Sequence, residues 1–240
     1  MKAKRGKAGQ YVDYMIIIFW ISTMAMVGYF LPYLIGYLPF FKVRGINVLS
    51  TTYIPPSAIS EIVVQRYKGN WLYMSSDGLK SAINSRFFNA VEELDIRRLI
   101  TKEGAYLEIY LKERKPYFTV FYQDKVFYVD QKGNLFQNPY IPITYPYIYT
   151  YDVSIVKDYF KNINSLISVM GEGLKEIYLS DIQTVLYSEK GNKFILPPIW
   201  EIDQQIIGSL SRVYNMSMTG STVDLTLKDM VILKEGLNSK

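Results

Sequence analysis

The sequence predicts an α+β protein in which a single transmembrane helix precedes two small folded domains. Three observations indicate this class. A long stretch without charge follows a basic N-terminus, the next part of the chain has a strand–helix–helix–strand–strand pattern, and the remainder alternates hairpins with two amphipathic helices. We expect a basic tail at 1–13, an anchor at 14–41, a first domain at 42–115, a second domain at 116–234 and a short tail at 235–240.

The anchor is predicted from residues 14–41, which carry no charged side chain. About 20 apolar residues in a helix cross the hydrocarbon core of a bilayer, and a lone segment satisfies its backbone there only as a helix. A cleaved signal peptide is the alternative, but its apolar core is shorter and ends in small residues, whereas this run ends in bulky ones. Because proline lacks an N–H group, we expect Pro32 to kink or end the helix and leave Tyr14–Leu31 in the membrane.

The charges that flank the anchor predict its orientation. Four lysine or arginine residues precede the apolar stretch, with only Asp13 against them, and two follow it directly. The more basic flank stays in the cytoplasm. We therefore expect a cytoplasmic N-terminus in the inner (cytoplasmic) membrane and the bulk of the chain outside. No later segment is apolar for long enough to span, so a single crossing is predicted.

The first domain is predicted from the signals that follow the anchor. A β-branched strand begins near Val43, and Pro56 followed by serine is a helix start. Apolar residues then recur on one helix face up to Gly69, and a second helix opens at Ser75 or Ser76. The remaining elements are two strands, at about 91–99 and 105–113.

The second domain is predicted to be a mixed, β-rich domain with two helices. Residues 138–151 have no helical period and are predicted to be an extended connector. The helices are expected from Ser154 to Met170 and at 201–214, each with one apolar face. The strands are expected at 118–122, 126–129, 176–179, 184–188, 193–196, 222–228 and 230–234.

Composition excludes several kinds of site. The 240 residues include no cysteine and no histidine, which excludes disulfides, thiolate nucleophiles, His-dependent triads and zinc sites built on these residues. The net charge of +5 is not gathered into a basic cluster, so we predict no nucleic-acid binding. No motif indicates a cofactor, a metal or a small-molecule substrate.

The chain resembles the FtsQ/DivIB family of single-pass bacterial division proteins along essentially its whole length. Four segments carry the resemblance in their order: FKVRGINVLS after the anchor, LEIYLKERKPYF with the family's Glu-Arg-x-Pro, FYVDQKGNLF with its Val-Asp-x-x-Gly turn, and VDLTLKDMVIL near the end. The family often has arginine and an aromatic residue where this sequence has Thr226 and Leu227. The resemblance implies that the first domain is a POTRA domain and the second the family's β domain.

The resemblance also implies a scaffold without enzymatic activity. Family members are membrane proteins of the septum that bind the FtsB–FtsL coiled-coil pair and coordinate septal cell-wall synthesis. The sequence favours a binding role independently, because a terminal strand offers unpaired backbone groups to an added strand. The alternative for each side chain is that it only fills the core. The residues that we expect to bind the partner are Val223, Asp224, Leu225, Leu227, Asp229, Val231 and Leu233.

Other functions remain as alternatives. One alternative keeps the POTRA domain but assigns the protein to secretion or outer-membrane assembly. Proteins of that kind resemble a series of several POTRA repeats followed by a long barrel. A membrane-anchored Ser-Lys hydrolase also works without histidine. Its candidates Ser50, Ser57 and Ser60 do not lie in the Ser-x-Met-x-Pro segment of those enzymes. A glycosidase needs two inward carboxylates about 5–10 Å apart, whereas Glu92 and Glu93, adjacent on a strand, point to opposite faces.

Overall fold

The computed structural model describes residues 7–49, 52–217, 219–227 and 231–234. It confirms a mixed α+β chain with an N-terminal apolar helix, α1 (Lys7–Tyr37), followed by sheets and shorter helices. The segment Tyr14–Leu31 is long and apolar enough to cross a membrane, and its side chains are all exposed. Helix α1 continues through residue 32, so Pro32 does not end it. The missing N–H group removes one hydrogen bond from a helix of 31 residues.

Five elements follow α1 in the order strand, helix, helix, strand, strand. They are β1 (Val43–Leu49), α2 (Pro56–Tyr67), α3 (Ser76–Arg86), β2 (Val91–Thr101) and β3 (Gly104–Glu113). The strands form a sheet in the order β1-β3-β2, and β1 runs parallel to β3 with Leu49 opposite Tyr110. This order of elements is the predicted one, while the assignment to the POTRA fold stays a prediction.

A larger sheet with three helices forms most of the remaining chain. Its strands are β4 (Phe118–Tyr122), β5 (Lys125–Val129), β6 (Leu135–Phe136), β7 (Tyr147–Thr150), β8 (Leu174–Leu179), β9 (Thr184–Ser188), β10 (Lys193–Leu196), β11 (Thr222–Asp224) and β12 (Ile232–Lys234). The helices are α4 (Val153–Asp158), α5 (Phe160–Met170) and α6 (Gln204–Met216). Within the described residues, the strand order is β12-β11-β10-β9-β8-β7-β4-β5-β6.

Contacts divide the chain into two compact units. The first unit comprises Met1–Ser50, Pro56–Leu79 and Leu94–Leu111, and the second comprises Thr51–Pro55, Lys80–Glu93 and Lys112–Lys240. The second unit therefore includes short segments that precede the large sheet in the sequence. The predicted domain boundary between residues 115 and 116 stays a prediction.

The two faces of the larger sheet differ in chemistry. On one face, buried strand residues such as Phe118, Ile148 and Phe194 share a core with the apolar sides of α4, α5 and α6. Rings on the other face stack between neighbouring strands, with centroids 4.5 Å apart for Tyr149 of β7 and Tyr178 of β8. Tyr145, just before β7, stacks on Tyr147 with centroids 4.2 Å apart. We call these rings the aromatic ladder; its members are Phe121, Tyr145, Tyr147, Tyr149, Tyr178 and Tyr187.

The connector and the first helix predicted for the second domain differ from the structure. The connector predicted at 138–151 contains β7, which lies inside the sheet between β4 and β8. Its buried Ile148 alternates with Tyr147 and Tyr149 on the other face, but proline and tyrosine before it obscure this short period. The helix predicted from Ser154 to Met170 is two helices, because the backbone at Tyr159 (φ −109°, ψ 26°) leaves the helical region.

Candidate functional site

Strand β12 lies at one end of the larger sheet. It pairs antiparallel with β11, and β11 pairs parallel with β10. Because β12 is the terminal strand of the order, its outer edge has no neighbouring strand in the part of the chain that the structure describes. Such an edge presents backbone N–H and C=O groups that an added strand can bind.

The side chains at this edge are apolar and exposed. Val231 is 48% exposed, Ile232 42% and Leu233 50%. Leu233 lies opposite Val223, which is fully buried. Residues opposite each other in an antiparallel pair point to the same face of the sheet. Among the described residues, the apolar face of the core therefore continues to the sheet edge, where Leu233 is half-exposed.

The residues predicted to bind a partner separate into two groups. Val223 and Leu225 are buried and belong to the core. Leu227, Val231 and Leu233 are exposed to about half, Asp224 is half-buried, and Asp229 lies outside the described residues. The prediction omitted Ile232, although the apolar run from 231 to 233 is a sequence signal for it.

Strand β11 ends earlier than the predicted range 222–228. Directly after the strand, the Leu225 N–H donates to the Ile195 carbonyl at 2.8 Å. The carboxylate of Asp224 then accepts the N–H group of Thr226 at 3.0 Å and its hydroxyl at 2.7 Å. This turn around an aspartate takes the backbone away from the strand. Strand β12 is likewise shorter than predicted and begins at Ile232.

Two segments that carry the family resemblance meet within the second unit. Arg114, of Glu-Arg-x-Pro, donates from Nη1 to Oδ2 of Asp130, of Val-Asp-x-x-Gly, at 2.7 Å, with side chains only 13% and 11% exposed. Asp130 also accepts the N–H groups of Lys132 and Asn134, each at 2.9 Å. Burial by itself would raise the pKa of Asp130, but hydrogen bonds from Asn134 and Arg114 outweigh burial and lower the pKa.

Glu113, next to this ion pair, closes a second turn. Its buried carboxylate accepts the backbone N–H groups of Thr52 at 2.8 Å, Tyr53 at 3.1 Å and Ile54 at 3.2 Å. Those residues directly precede α2. Glu113 and Arg114 therefore bind two different turns of the second unit.

Two of the side chains considered above for catalysis, Ser60 and Glu92, make contacts that the structure describes. The hydroxyl of Ser60 donates to the Pro56 carbonyl at 3.0 Å, and Ser50 lies outside the described residues. Glu92 lies between Lys132 and Lys112, and their hydrogen bonds lower its pKa to about 2. Among the residues with described positions, no three acidic side chains gather in a way that could hold a metal ion.

Comparisons with known proteins give one distant relative. No family model matches the chain. An uncharacterized protein of Aquifex aeolicus (strain VF5) is 24% identical over 233 residues, which cover 97% of this chain and all of that protein. The similarity is therefore not confined to one segment, and at this identity it assigns neither a family nor a function.

Proposed function

We propose that this protein is a single-pass membrane scaffold of the bacterial division machinery. It recruits an FtsB–FtsL-like coiled-coil pair to the septum by strand addition at β12. The observation that carries the proposal is the apolar edge at residues 231–233, half-exposed and without a neighbouring strand among the described residues. Helix α1 supplies the anchor, and the resemblance to FtsQ/DivIB supplies the partner.

The expected strength of this contact follows from its parts. Each backbone hydrogen bond to an added strand contributes about 0.5–1.5 kcal/mol net. Covering the exposed half of Ile232 or Leu233 adds about 1 kcal/mol each, since full burial contributes about 1.5–3 kcal/mol. A three-residue strand alone therefore gives weak binding. We expect the partner also to contact the exposed Leu227.

Removal of the edge strand tests the proposal. Deleting residues 231–240 removes β12 but keeps the buried Val223 and Leu225 that complete the core. The full-length protein and the deletion variant, both purified in detergent, are compared in pull-downs with a purified FtsB–FtsL-type pair. We expect the deletion to abolish capture. Undiminished capture would show that another surface binds the pair.

A single substitution makes the same test without shortening the chain. Leu233→Asp puts a charge where an added strand would cover it, so we expect at least about a tenfold loss of affinity, or 1.4 kcal/mol. The matched control is Ile182→Asp, because Ile182 is 77% exposed in the turn between β8 and β9. Equal affinities for the two variants would contradict strand addition at β12.

The orientation has its own test. A reporter enzyme that folds only outside the cytoplasm is fused after residue 240. We expect activity, because the basic flank of α1 stays inside. Activity from a cytoplasm-specific reporter at the same position would reverse the orientation.

A further inference from the structure

Apolar side chains cluster where the chain leaves α1. Residues 39–41 form a 3-10 turn directly after the helix. Leu38 and Phe40 are exposed, as are Leu72 and Tyr73 of the loop between α2 and α3, and Trp71 is half-buried beside them. We call these five residues the exit patch. All of them belong to the first unit.

The loop is bonded to the turn after α1. The Trp71 indole N–H donates to the Phe40 carbonyl at 3.0 Å, and the Trp71 backbone N–H donates to the Phe41 carbonyl at 3.0 Å. The Trp71 ring lies 6.1 Å from the Phe40 ring and 5.7 Å from the Phe41 ring, measured between centroids. Trp71 therefore lies at the same depth as the turn, wherever a membrane places that turn.

Helix geometry gives that depth. A hydrocarbon core about 30 Å thick takes about 20 helical residues, so a span that begins at Tyr14 leaves the core near residue 33. The helix continues to Tyr37, which is about 6 Å further at 1.5 Å per residue. The headgroup layer is about 5–7 Å thick on each side. Tyr37 therefore lies at the outer boundary of this layer, and residues 38–41 with the bonded Trp71 follow directly beyond it, within a side chain's length of the headgroups.

The chemistry of the exit patch fits that layer. Tryptophan and tyrosine are enriched at membrane–water interfaces, where an apolar ring and a polar N–H or O–H group are both satisfied. Cations lie immediately beyond the patch: Lys42 follows the turn, and the Arg44 Nε donates to the Glu103 carbonyl, which brings the turn containing Lys102 beside it. Each lysine or arginine near an anionic surface contributes about 1 kcal/mol.

We infer that the exit patch is a second membrane contact, in which the Trp71–Leu72–Tyr73 loop inserts into the headgroup layer of the bilayer. The occupant is phospholipid and not another protein, because the patch continues directly from the membrane-spanning helix. The contact fixes the orientation of the first unit on the membrane. This inference depends on the proposed anchor.

The three tryptophans of the chain allow a direct test. Trp20 lies in the predicted span, Trp71 in the exit patch and Trp200 in the second unit. Three full-length variants each keep one tryptophan and carry phenylalanine at the other two positions. They are reconstituted into vesicles of phosphatidylcholine and phosphatidylglycerol, with phosphatidylcholine brominated either near the headgroup or near the chain ends.

We expect bromine near the headgroup to reduce Trp71 emission by about twofold or more, and more than bromine at the chain ends does, because an interfacial ring lies at that depth. Trp20 is the control for the anchor, and we expect bromine near the chain ends to quench it at least as strongly. Trp200 emission gives the reference for quenching outside the first unit. Quenched Trp20 with unquenched Trp71 overturns the inference but leaves the anchor, whereas unquenched Trp20 overturns the anchor itself.

A substitution in the loop distinguishes insertion of the loop into lipid from proximity of Trp71 to the membrane. In the Trp71-only protein, Leu72→Glu adds a charge to the loop, and we expect quenching by bromine near the headgroup to fall by about half. The matched control is Val64→Glu, since Val64 is 60% exposed on α2 of the same unit. Unaltered quenching in Leu72→Glu, or an equal fall in both variants, contradicts insertion of the loop.

Discussion

Asp130→Asn tests whether the ion pair with Arg114 stabilises the second unit. The substitution keeps the size of the side chain, and Oδ1 can still accept from the N–H groups of Lys132 and Asn134. The atom at the Oδ2 position becomes an NH₂ group that faces the donating Arg114. Hydrogen bonds to charged groups contribute about 1.5–3 kcal/mol, and a cation deprived of its partner costs more when it is buried. We expect a loss of about 2–3 kcal/mol in the free energy of unfolding.

The assay is guanidinium unfolding of full-length protein in non-ionic detergent, followed by Trp200 emission in a variant without the other tryptophans. Trp200 belongs to the unit that contains the ion pair. The control is Glu93→Gln, which breaks the ion pair between Lys112 and Glu93. The Lys112 side chain is 56% exposed and the Glu93 side chain 68% exposed. Exposed pairs contribute about 0–1 kcal/mol. Equal losses for the two substitutions would refute the argument that burial gives the Arg114 pair its strength.

The same ion pair predicts a dependence on pH. The pKa of Asp130 is lower in the folded chain than in the unfolded one, where it is about 3.9. Its contribution is therefore fully present above pH 4 or so and is lost as pH falls through the lowered pKa. The difference between the wild type and Asp130→Asn should shrink over that range. A difference that stays constant down to the lowest pH would contradict a charged Asp130.

Two further predictions use the same unfolding assay. Glu113→Ala should lower the free energy of unfolding by about 2–3 kcal/mol, because the buried Ile54 N–H loses its acceptor. Glu113→Gln keeps one acceptor oxygen and should lower it by less. A larger loss for Glu113→Gln than for Glu113→Ala would contradict the role of Glu113 as an acceptor. Gly133→Ala should cost about 2–3 kcal/mol, because Gly133 has φ of +82° and an added Cβ would lie 2.9 Å from Cγ of Phe160. Gly208→Ala in α6 should instead raise the free energy of unfolding by about 0.5–1 kcal/mol, because no heavy atom lies within 4 Å of the added Cβ. A loss of stability in both glycine variants would contradict this difference between the two positions.

Elements with a clear local pattern could be predicted from the sequence. Strands β4 and β9 match their predicted ranges, because each is a run of mostly apolar residues with turn residues on both sides. Strand β7 was not predicted, because its pattern covers only four residues. Its two neighbours, β4 and β8, are far from each other in the sequence, and only the folded sheet brings them together.

The candidate site could be predicted only in part. An apolar run near residues 231–233 indicates a strand, but the sequence does not show whether another strand covers it. The burial of Val223 beside the exposure of Leu233 depends on how far the helices extend over the sheet, and no local pattern encodes that distance. The contact of Arg114 with Asp130 is similar: both motifs are visible in the sequence, and their pairing is a property of the fold.

The aromatic ladder has an optical consequence. Tyr149 stacks on Phe121 at 5.0 Å and on Tyr178 at 4.5 Å, with interplanar angles of 14° and 12°. Transition dipoles of aromatic rings at such separations couple, and the coupled bands add to the far-ultraviolet circular dichroism of the backbone. A spectrum interpreted from backbone signals alone would then misstate the strand content of this chain. The same bands offer a label-free report on the middle of the sheet, since they vanish once its strands separate.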